Sequence, residues 1–219
     1  MKISDKTMEV LNNFSGINQS IVIRPGNVLR TGTLVLDIYA SAKIEENFEK
    51  EIGISNLKKL LGVLSLFKGG SDPDIEFTDT HAVISSGGRK IQYTLGEKTL
   101  IKGAPDKDPS VPEAMKSVTL PFEEINNTIK AISVLDLSEV WFSVEKDGVY
   151  VGSKDLKNSS KDTYLFKLSN DGSETPFFVR VPKTSLKLMD RNYVLKLHTA
   201  YVKFESDDVS YWIPALAAE

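Results

Sequence analysis

The chain lacks cysteine altogether, although it is 219 residues long. Without thiolates it can form neither a disulfide nor a cysteine-ligated zinc site, and a reducing intracellular setting suits such a composition. It also lacks any apolar run close to the roughly 20 residues that a membrane-spanning helix needs. Its opening, "MKISDKTMEV", has no apolar signal-peptide core. We therefore expect a soluble protein of the cytoplasm with no membrane partner.

Catalytic motifs are equally scarce. The chain has two histidines, His81 and His198, each inside a strand-like run, and it has no H-E-x-x-H or G-x-S-x-G motif. The stretch "SSGGRK", residues 85–90, lacks the spacing of a phosphate-binding loop, so a hairpin turn is the favoured interpretation. The alternating acids of "SDPDIEF", residues 71–77, are too few for a calcium loop and favour a solvated strand entry. We therefore expect no enzyme, no cofactor and no metal ion.

An excess of positive charge is missing too. The sequence has 27 Lys+Arg against 30 Asp+Glu, a net charge of −3. This balance argues against a protein that binds nucleic acid through bulk charge, but it leaves a local basic surface open.

What the sequence does contain is helical periodicity. In "SNLKKLLGVLSLF", residues 55–67, leucines and a phenylalanine recur at the spacing of one buried helix face, while Lys58 and Lys59 lie on the other face. Similar patterns, with capping and acidic residues suited to a first turn, predict four helices. These helices span 4–14, 55–67, 121–133 and 182–191.

Strand-like segments surround the predicted helices, and prolines and glycines concentrate between residues 96 and 116. We interpret that stretch as a linker. The order of strands and helices is similar on its two sides. The sequence therefore predicts an α+β protein of two similar domains, 1–98 and 117–219, joined by a linker at 99–116.

Basic residues gather on the predicted helices. These helices carry seven basic and five acidic residues, a net charge of +2 that leaves −5 for the rest of the chain. Three of the basic residues follow an i, i+4, i+8 pattern in the fourth helix and would line one side of it. Such a surface would hold a duplex loosely by its phosphates without reading its sequence, whereas plain solvated helix faces are the alternative. The candidate DNA-binding residues are Lys6, Lys58, Lys59, Lys130, Lys183, Lys187 and Arg191.

Three stretches resemble a known family. The opening "MKISDKTMEVLNNFSGINQSIVI", the helix "ISNLKKLLGVLSLF" and the closing "YVKFESDDVSYWIPAL" are similar to the DNA polymerase sliding clamps of T-even-like tailed bacteriophages. The resemblance covers essentially the whole chain in the same order. It is strongest in the first 25 residues and in the helix at 55, and it is weakest from 70 to 120.

This resemblance implies both a fold and a function. Clamps of this family are ring-shaped homotrimers with two similar DNA-clamp domains per chain, in which helices line a central hole and antiparallel sheets form the outer rim. The ring encircles double-stranded DNA, without sequence preference, and tethers the replicative DNA polymerase to make it processive. An ATP-dependent clamp loader places it on DNA, and late-transcription factors are a further partner. The place of action would be the cytoplasm of the infected bacterial host.

Ring closure in clamps depends on edge strands that pair across subunits. The resemblance places these edges at 89–96 and 162–169, whereas ordinary internal strands are the alternative. The expected interface residues are Arg89, Ile91, Tyr93, Leu95, Tyr164, Phe166 and Leu168.

Clamp partners insert a short peptide into an apolar pocket between the two domains, beneath the linker and beside the C-terminal tail. Tyr and Trp on an exposed apolar patch there would supply much of the binding energy. The competing interpretation is that Trp212 and Ile213 simply close the sheet. Because side chains alternate along a strand, only one of these two can face a given side. The candidate pocket residues are Leu100, Ile101, Tyr211, Trp212, Ile213, Pro214 and Leu216.

Two other functions stay open at this point. One is a β-rich phage structural or adaptor module that does not encircle DNA and whose basic helix faces are incidental. The other is an enzyme of unrecognised type, which would need a deep pocket lined by titrating groups with shifted pKa values.

Overall fold

The computed structural model describes residues 1–67, 72–154 and 162–217. The chain divides into two compact units, Met1–Asp108 and Pro109–Glu219, which we call unit 1 and unit 2. Both units are α+β, and the strand pairs described within each of them are antiparallel.

Unit 1 contains two α-helices, seven strands and one 3₁₀ turn within its described residues. In chain order they are α1 (Asp5–Ile17), β1 (Ile21–Ile23), β2 (Gly26–Gly32), β3 (Tyr39–Phe48), β4 (Ile52–Ile54), α2 (Leu57–Ser65), β5 (Asp74–Phe77), β6 (His81–Ser86), β7 (Arg89–Thr94) and the 3₁₀ turn Lys98–Leu100. Strand β1 pairs with β4, β2 pairs with β3, and β5, β6 and β7 form a three-stranded sheet in that order.

The first helix begins where two side chains satisfy its free backbone N–H groups. The Ser4 hydroxyl accepts a hydrogen bond from the Thr7 N–H at 3.3 Å. The Glu46 carboxylate of β3 accepts from the Ser4 N–H and from the Thr7 hydroxyl. Because the first N–H groups of a helix have no intrahelical partner, these contacts fix where α1 starts.

The second helix carries the leucine stripe that the sequence predicts. Asn56 caps it by accepting the Lys59 N–H at 2.9 Å. Leu57, Leu60 and Leu64 are buried, and α2 packs against α1. Burying a leucine side chain contributes about 1.5–3 kcal/mol, so this stripe holds α2 to the unit.

Unit 2 contains one α-helix, eight strands and one 3₁₀ turn within its described residues. In chain order they are β8 (Lys116–Leu120), α3 (Phe122–Val134), β9 (Glu139–Glu145), β10 (Gly148–Ser153), β11 (Tyr164–Ser169), β12 (Phe177–Pro182), the 3₁₀ turn Lys183–Ser185, β13 (Tyr193–His198), β14 (Tyr201–Glu205) and β15 (Val209–Pro214). One sheet has the order β11, β10, β9, β12, and in the other β8, β13, β14 and β15 are neighbours in that order.

Aromatic side chains fill the core of unit 2. The Tyr193 ring packs edge-to-face on Phe204 and Tyr211, and Phe142 packs edge-to-face on Phe204. All four are fully or almost fully buried. Such edge-to-face pairs add to the hydrophobic gain of burial, so they tie the two sheets of this unit together.

The predicted fourth helix, 182–191, is wrong. Only the 3₁₀ turn Lys183–Ser185 forms, and the chain leaves it at Leu186 with φ −85° and ψ 61°. Two tyrosine hydroxyls bind the backbone of Met189 instead: Tyr211 accepts its N–H at 3.2 Å, and Tyr193 donates to its carbonyl at 2.7 Å. These bonds replace the i to i−4 bonds of a helix, so tertiary contacts override the local pattern.

The strand-like run "LVLDIYASA", residues 34–42, forms a strand only in its second part. The strand begins only at Tyr39, because the Leu36 N–H bonds to the Thr33 carbonyl and Leu36 adopts φ 57°. Leu34 and Val35 are consequently exposed at a hairpin tip. In the described part of the chain, none of the helices combines the length and the hydropathy needed to cross a bilayer.

Candidate functional site

The basic candidates of unit 1 lie on its two helices. Lys58 and Lys59 are exposed on α2, opposite the buried leucines, and Lys6 is exposed on α1. The Lys59 Nζ lies 6.0 Å from the ring centroid of Tyr93. In the described residues neither Lys58 nor Lys59 forms an ion pair, so both charges face solvent.

The three α-helices differ in net charge. Helix α1 carries Lys6 with two acids, and α3 carries Lys130 with two acids, so each has a net charge of −1. Helix α2 carries two lysines and no acid. Positive helix charge is therefore concentrated on α2.

The basic candidates of unit 2 do not line one helix. Lys130 is exposed on α3, whereas Lys183 lies in the 3₁₀ turn and Lys187 and Arg191 come after it in irregular chain. The predicted i, i+4, i+8 stripe is wrong because its helix is absent. The Arg191 Nη2 lies 3.3 Å from a carboxylate oxygen of Asp208, which leaves this guanidinium engaged within its own unit.

Strands β7 and β11 both lie at the edges of their sheets. Their edge position suits backbone pairing between subunits, whereas not all of the side chains expected at the interface are accessible. Tyr93 is buried and its hydroxyl donates to the Asn56 carbonyl at 2.9 Å, so it belongs to the interior of unit 1. Burial raises the pKa of Tyr93, which keeps the hydroxyl protonated as a donor.

The other expected interface side chains are more accessible. Arg89 is exposed, and the remaining five, which are half-buried, are Ile91, Leu95, Tyr164, Phe166 and Leu168. An edge strand can pair through its backbone whichever way these side chains face.

The candidate pocket residues fall into two groups. Leu100 is 82% exposed and Ile101 is half-buried beside it. The expected exposed aromatic patch on the tail is wrong, since Tyr211 and Trp212 are buried. Tyr211 points into unit 2 towards Met189, and the Lys203 Nζ lies 4.7 Å from the Trp212 ring centroid.

The rest of the candidate tail is mixed. Ile213 is buried, on the same side of β15 as Tyr211, whereas Pro214 is exposed and Leu216 is half-buried. The Leu216 N–H donates to the Arg180 carbonyl at 2.8 Å, so the tail runs along the outer edge of β12. In the described range no group of three His, Asp or Glu side chains is arranged to hold a metal ion.

Sequence reasoning missed a set of contacts after the 3₁₀ turn Lys98–Leu100. Asp106 and Asp108 form ion pairs with Arg24 and Arg30 on the β2 side of unit 1. The residues were visible in the sequence, because Asp106 and Asp108 stand in the proline-bearing linker, Arg24 precedes β2 and Arg30 lies within it. Nothing in the spacing, however, says which arginine meets which acid.

Comparisons with known proteins show what the whole chain is similar to. Residues 2–95 match the model of the family described as "DNA polymerase processivity factor". The sliding clamp of Vibrio phage KVP40 is 26% identical, over 97% of this chain and 98% of that protein. The sliding clamp of Escherichia phage RB69 is also 26% identical, over 97% of this chain and 96% of that protein.

Solved structures show the same fold. The A. fulgidus PCNA bound to the C-terminal region of FEN-1 matches with a TM-score of 0.76 at 13% identity, over 100% of this chain and 98% of that one. The Helicobacter pylori beta clamp bound to a DNA ligase peptide matches with a TM-score of 0.73 at 18% identity, over 99% of this chain. This chain spans 65% of that beta clamp. The fold is the clamp fold, and the chain is similar to the DNA polymerase processivity factor family over residues 2–95 and to phage sliding clamps over nearly its whole length.

Proposed function

We propose that this chain acts as a homotrimeric ring that encircles duplex DNA and holds the replicative polymerase on it. The observation that carries this proposal is the similarity to phage sliding clamps over nearly the whole chain. The exposed lysine pair on α2 supports it, because exposed lysines can contact phosphates, and phosphate contacts carry no sequence information.

The mechanism is topological. A closed ring leaves circular DNA only by opening, so its phosphate contacts need not be strong. Contacts between exposed charges are screened within about 8 Å at physiological salt, which lets the ring move along the duplex. In unit 1, Lys58 and Lys59 supply the main contact and Lys6 adds to it. In unit 2, Lys130 contributes from α3, and Lys183 and Lys187 contribute less from the 3₁₀ turn and the chain after it.

Ring closure uses the two edge strands. We assign β7 of one subunit to pair with β11 of the next, since an edge strand offers unpaired N–H and C=O groups to a neighbour. The functional domains are 1–98 and 117–219, with 99–116 as the segment that joins them.

Partners dock through short peptides. The beta clamp of H. pylori binds a DNA ligase peptide, and the PCNA of A. fulgidus binds the C-terminal region of FEN-1. For this chain the partners are the replicative polymerase, the ATP-dependent clamp loader and late-transcription factors, and Leu100 and Ile101 form part of the docking surface. The chain itself catalyses no reaction and acts in the cytoplasm of the infected host.

Light scattering at micromolar concentration tests the assembly. We expect a mass of three times 24.3 kDa. A monomer at every concentration would contradict the ring.

A second experiment tests encirclement directly. After loading by the cognate clamp loader, the protein should stay on nicked circular DNA and run off the ends of the same DNA once it is linearised. Equal loss from both forms would instead support an adaptor module that binds without encircling DNA.

A further inference from the structure

The segment after Leu100 is fastened to unit 1 although it forms no helix or strand. We call residues 101–108 the connector segment. Side chains from β2, β3 and the turn before β2 hold its second half. We call the set of contacts the latch, and it consists of Arg24, Arg30, Tyr39 and Ser41 with Ala104, Asp106, Lys107 and Asp108.

One end of the latch is the Asp108 carboxylate. One oxygen accepts from the Arg30 Nε at 3.0 Å and lies 3.3 Å from the Tyr39 hydroxyl, and the other accepts from the Ser41 hydroxyl at 3.3 Å. Arg30 and Ser41 are direct cross-strand partners of β2 and β3, and Tyr39 lies two residues before Ser41. Because side chains two residues apart in a strand share a face, the hairpin register builds this site.

The other end of the latch is the Arg24 guanidinium. Its Nε lies 2.6 Å from the Asp106 carboxylate, and its Nη2 donates to the Ala104 carbonyl at 3.1 Å. Arg24 therefore grips a side chain and a backbone group two residues apart, which the fixed fork of a guanidinium allows. Ala104 is only 4% exposed, so the connector backbone lies against the unit at this point.

Tyr39 closes the latch between these two ends. Its hydroxyl lies 3.2 Å from the Lys107 carbonyl, and the residue is 4% exposed. Burial, assisted by the negative charge of Asp108, raises the pKa of Tyr39 far above its usual value. The hydroxyl therefore keeps its proton and donates to the connector throughout the physiological pH range.

The latch leaves a short exposed stretch between two fixed points. Before it, the Gly96 N–H donates to the Gly53 carbonyl of β4 at 2.8 Å. The second fixed point follows the stretch and consists of Ala104 and the other latch residues. The stretch between them carries Leu100, whose side chain is 82% exposed and therefore available for a partner. An apolar side chain held in place in this way loses less entropy on binding than one on a free loop.

We propose that the latch positions the Leu100 stretch for a peptide of the replicative DNA polymerase, an inference that rests on the function proposed above. Arg24, Arg30, Tyr39 and Asp108 are positioning residues: they act through the connector and do not touch the partner. Their loss would weaken capture of partners while the ring still assembles.

The test measures capture and connector motion in the same variants. Asp108→Lys places a cation against Arg30 and opens the latch, whereas Arg30→Glu with Asp108→Lys restores opposite charges. Asp79→Lys is the matched control, because it makes the same charge change in the exposed Lys50–Asp79 ion pair of the same unit. Arg24→Met keeps an aliphatic side chain but loses the charged guanidinium and with it the contacts to Asp106 and Ala104, so it weakens the other end of the latch.

We expect three results with purified polymerase of the same phage immobilised as the probe. Asp108→Lys should speed hydrogen exchange over residues 101–108 and weaken capture about tenfold, which is the effect of ordering one or two flexible side chains. The charge-swapped double variant should recover most of both losses. Asp79→Lys should change neither, and all variants should keep the native mass of the wild type.

Each other outcome counts against the proposal. Faster exchange with unchanged capture would overturn it, and so would unchanged exchange in Asp108→Lys. Asp108→Lys could lose both the native mass and the capture of polymerase. If the double variant does not recover them and Arg24→Met loses them too, the latch has a purely structural role. Failure of the wild type to capture polymerase would instead reject the proposed function itself, which separates the two.

Discussion

The second helix predicted for each unit, 55–67 in unit 1 and 182–191 in unit 2, forms an α-helix in unit 1 but only a 3₁₀ turn followed by irregular chain in unit 2. In unit 1, Asn56 caps the segment and the Tyr93 hydroxyl holds the Asn56 carbonyl, so the chain coils into α2. In unit 2, Tyr193 and Tyr211 bind the backbone of Met189, and the chain makes one 3₁₀ turn.

The difference teaches that a buried hydrogen-bond anchor decides local structure where the apolar pattern is ambiguous. An anchor at the first residue of the segment leaves the remaining N–H groups to form a helix. An anchor in its middle takes the N–H and carbonyl that a helix would need. As a result, unit 1 presents a basic α-helix and unit 2 presents basic residues on irregular chain.

The largest expected effect comes from removing the leucine stripe of α2. Leu60 is 2% exposed, so Leu60→Ala should lower the free energy of unfolding by about 2–5 kcal/mol through lost burial and a cavity. Denaturant unfolding followed by far-ultraviolet circular dichroism measures this loss. The exposed Leu100→Ala is the control and should change the free energy by less than about 0.5 kcal/mol. Equal losses in both variants would show that α2 is not held by its stripe.

The next effect compares the basic residues of the two units. Lys58→Glu with Lys59→Glu should shorten the products of the processive polymerase about tenfold, since two exposed contacts worth up to about 1 kcal/mol each are reversed. It should also weaken the salt dependence, because each phosphate contact contributes about one unit to the slope. Lys183→Glu with Lys187→Glu makes the same charge change in unit 2 and should have the smaller effect. Primer extension on circular DNA over a salt series measures both, and a larger effect of the unit 2 variant would reverse the assignment.

Much of the fold could be predicted from the sequence. Periodic apolar residues located α1, α2 and α3 within a few residues, because each stripe lies in one short segment, and side-chain caps mark the starts of α1 and α2. The segment 182–191 could not be predicted in this way. Its outcome depends on tyrosines at 193 and 211, which reach it only in the folded unit.

The candidate site was harder to predict than the fold. The lysines of α2 could be found because a helix periodicity fixes which side chains face outward. The orientation of Tyr211 could not, since strand alternation gives two faces without saying which is inner. The latch was missed because its contacts join residues about 80 positions apart, as Arg24 and Ala104 show, and no local pattern reports such a pairing.

A smaller effect tests the anchors themselves. Tyr211→Phe leaves the buried Met189 N–H without its acceptor and should cost about 1–3 kcal/mol. Tyr93→Phe removes one donor to the carbonyl of Asn56, an exposed residue. That carbonyl still accepts the Leu60 N–H at 3.2 Å, so the change should cost about 0.5 kcal/mol. Denaturant midpoints of the two variants give the comparison. A larger loss for Tyr93→Phe would mean that the unit 2 anchor does not govern its segment.

The smallest effect separates the units by acid sensitivity. The start of α1 is held by a carboxylate, Glu46, whereas the N–H of Phe122 at the start of α3 donates to the neutral amide of Asn192 at 3.0 Å. Burial alone would raise the pKa of Glu46, but the hydrogen bonds from Thr7 and Ser4 outweigh it and lower the pKa below its usual value. A carboxyl with a lowered pKa in the folded state stabilises the fold above its unfolded pKa and loses that contribution as the pH falls through the folded one.

Glu46→Gln should therefore lower the melting temperature at neutral pH and flatten its decline in acid, below the usual range of a glutamate. Asn192→Asp is the matched change in unit 2, because it places a carboxylate at the start of α3 and should add an acid-dependent contribution there. Melting curves from neutral pH to about pH 3 measure both variants. Parallel acid profiles for the wild type and Glu46→Gln would show that the Glu46 carboxylate is not what holds the first helix.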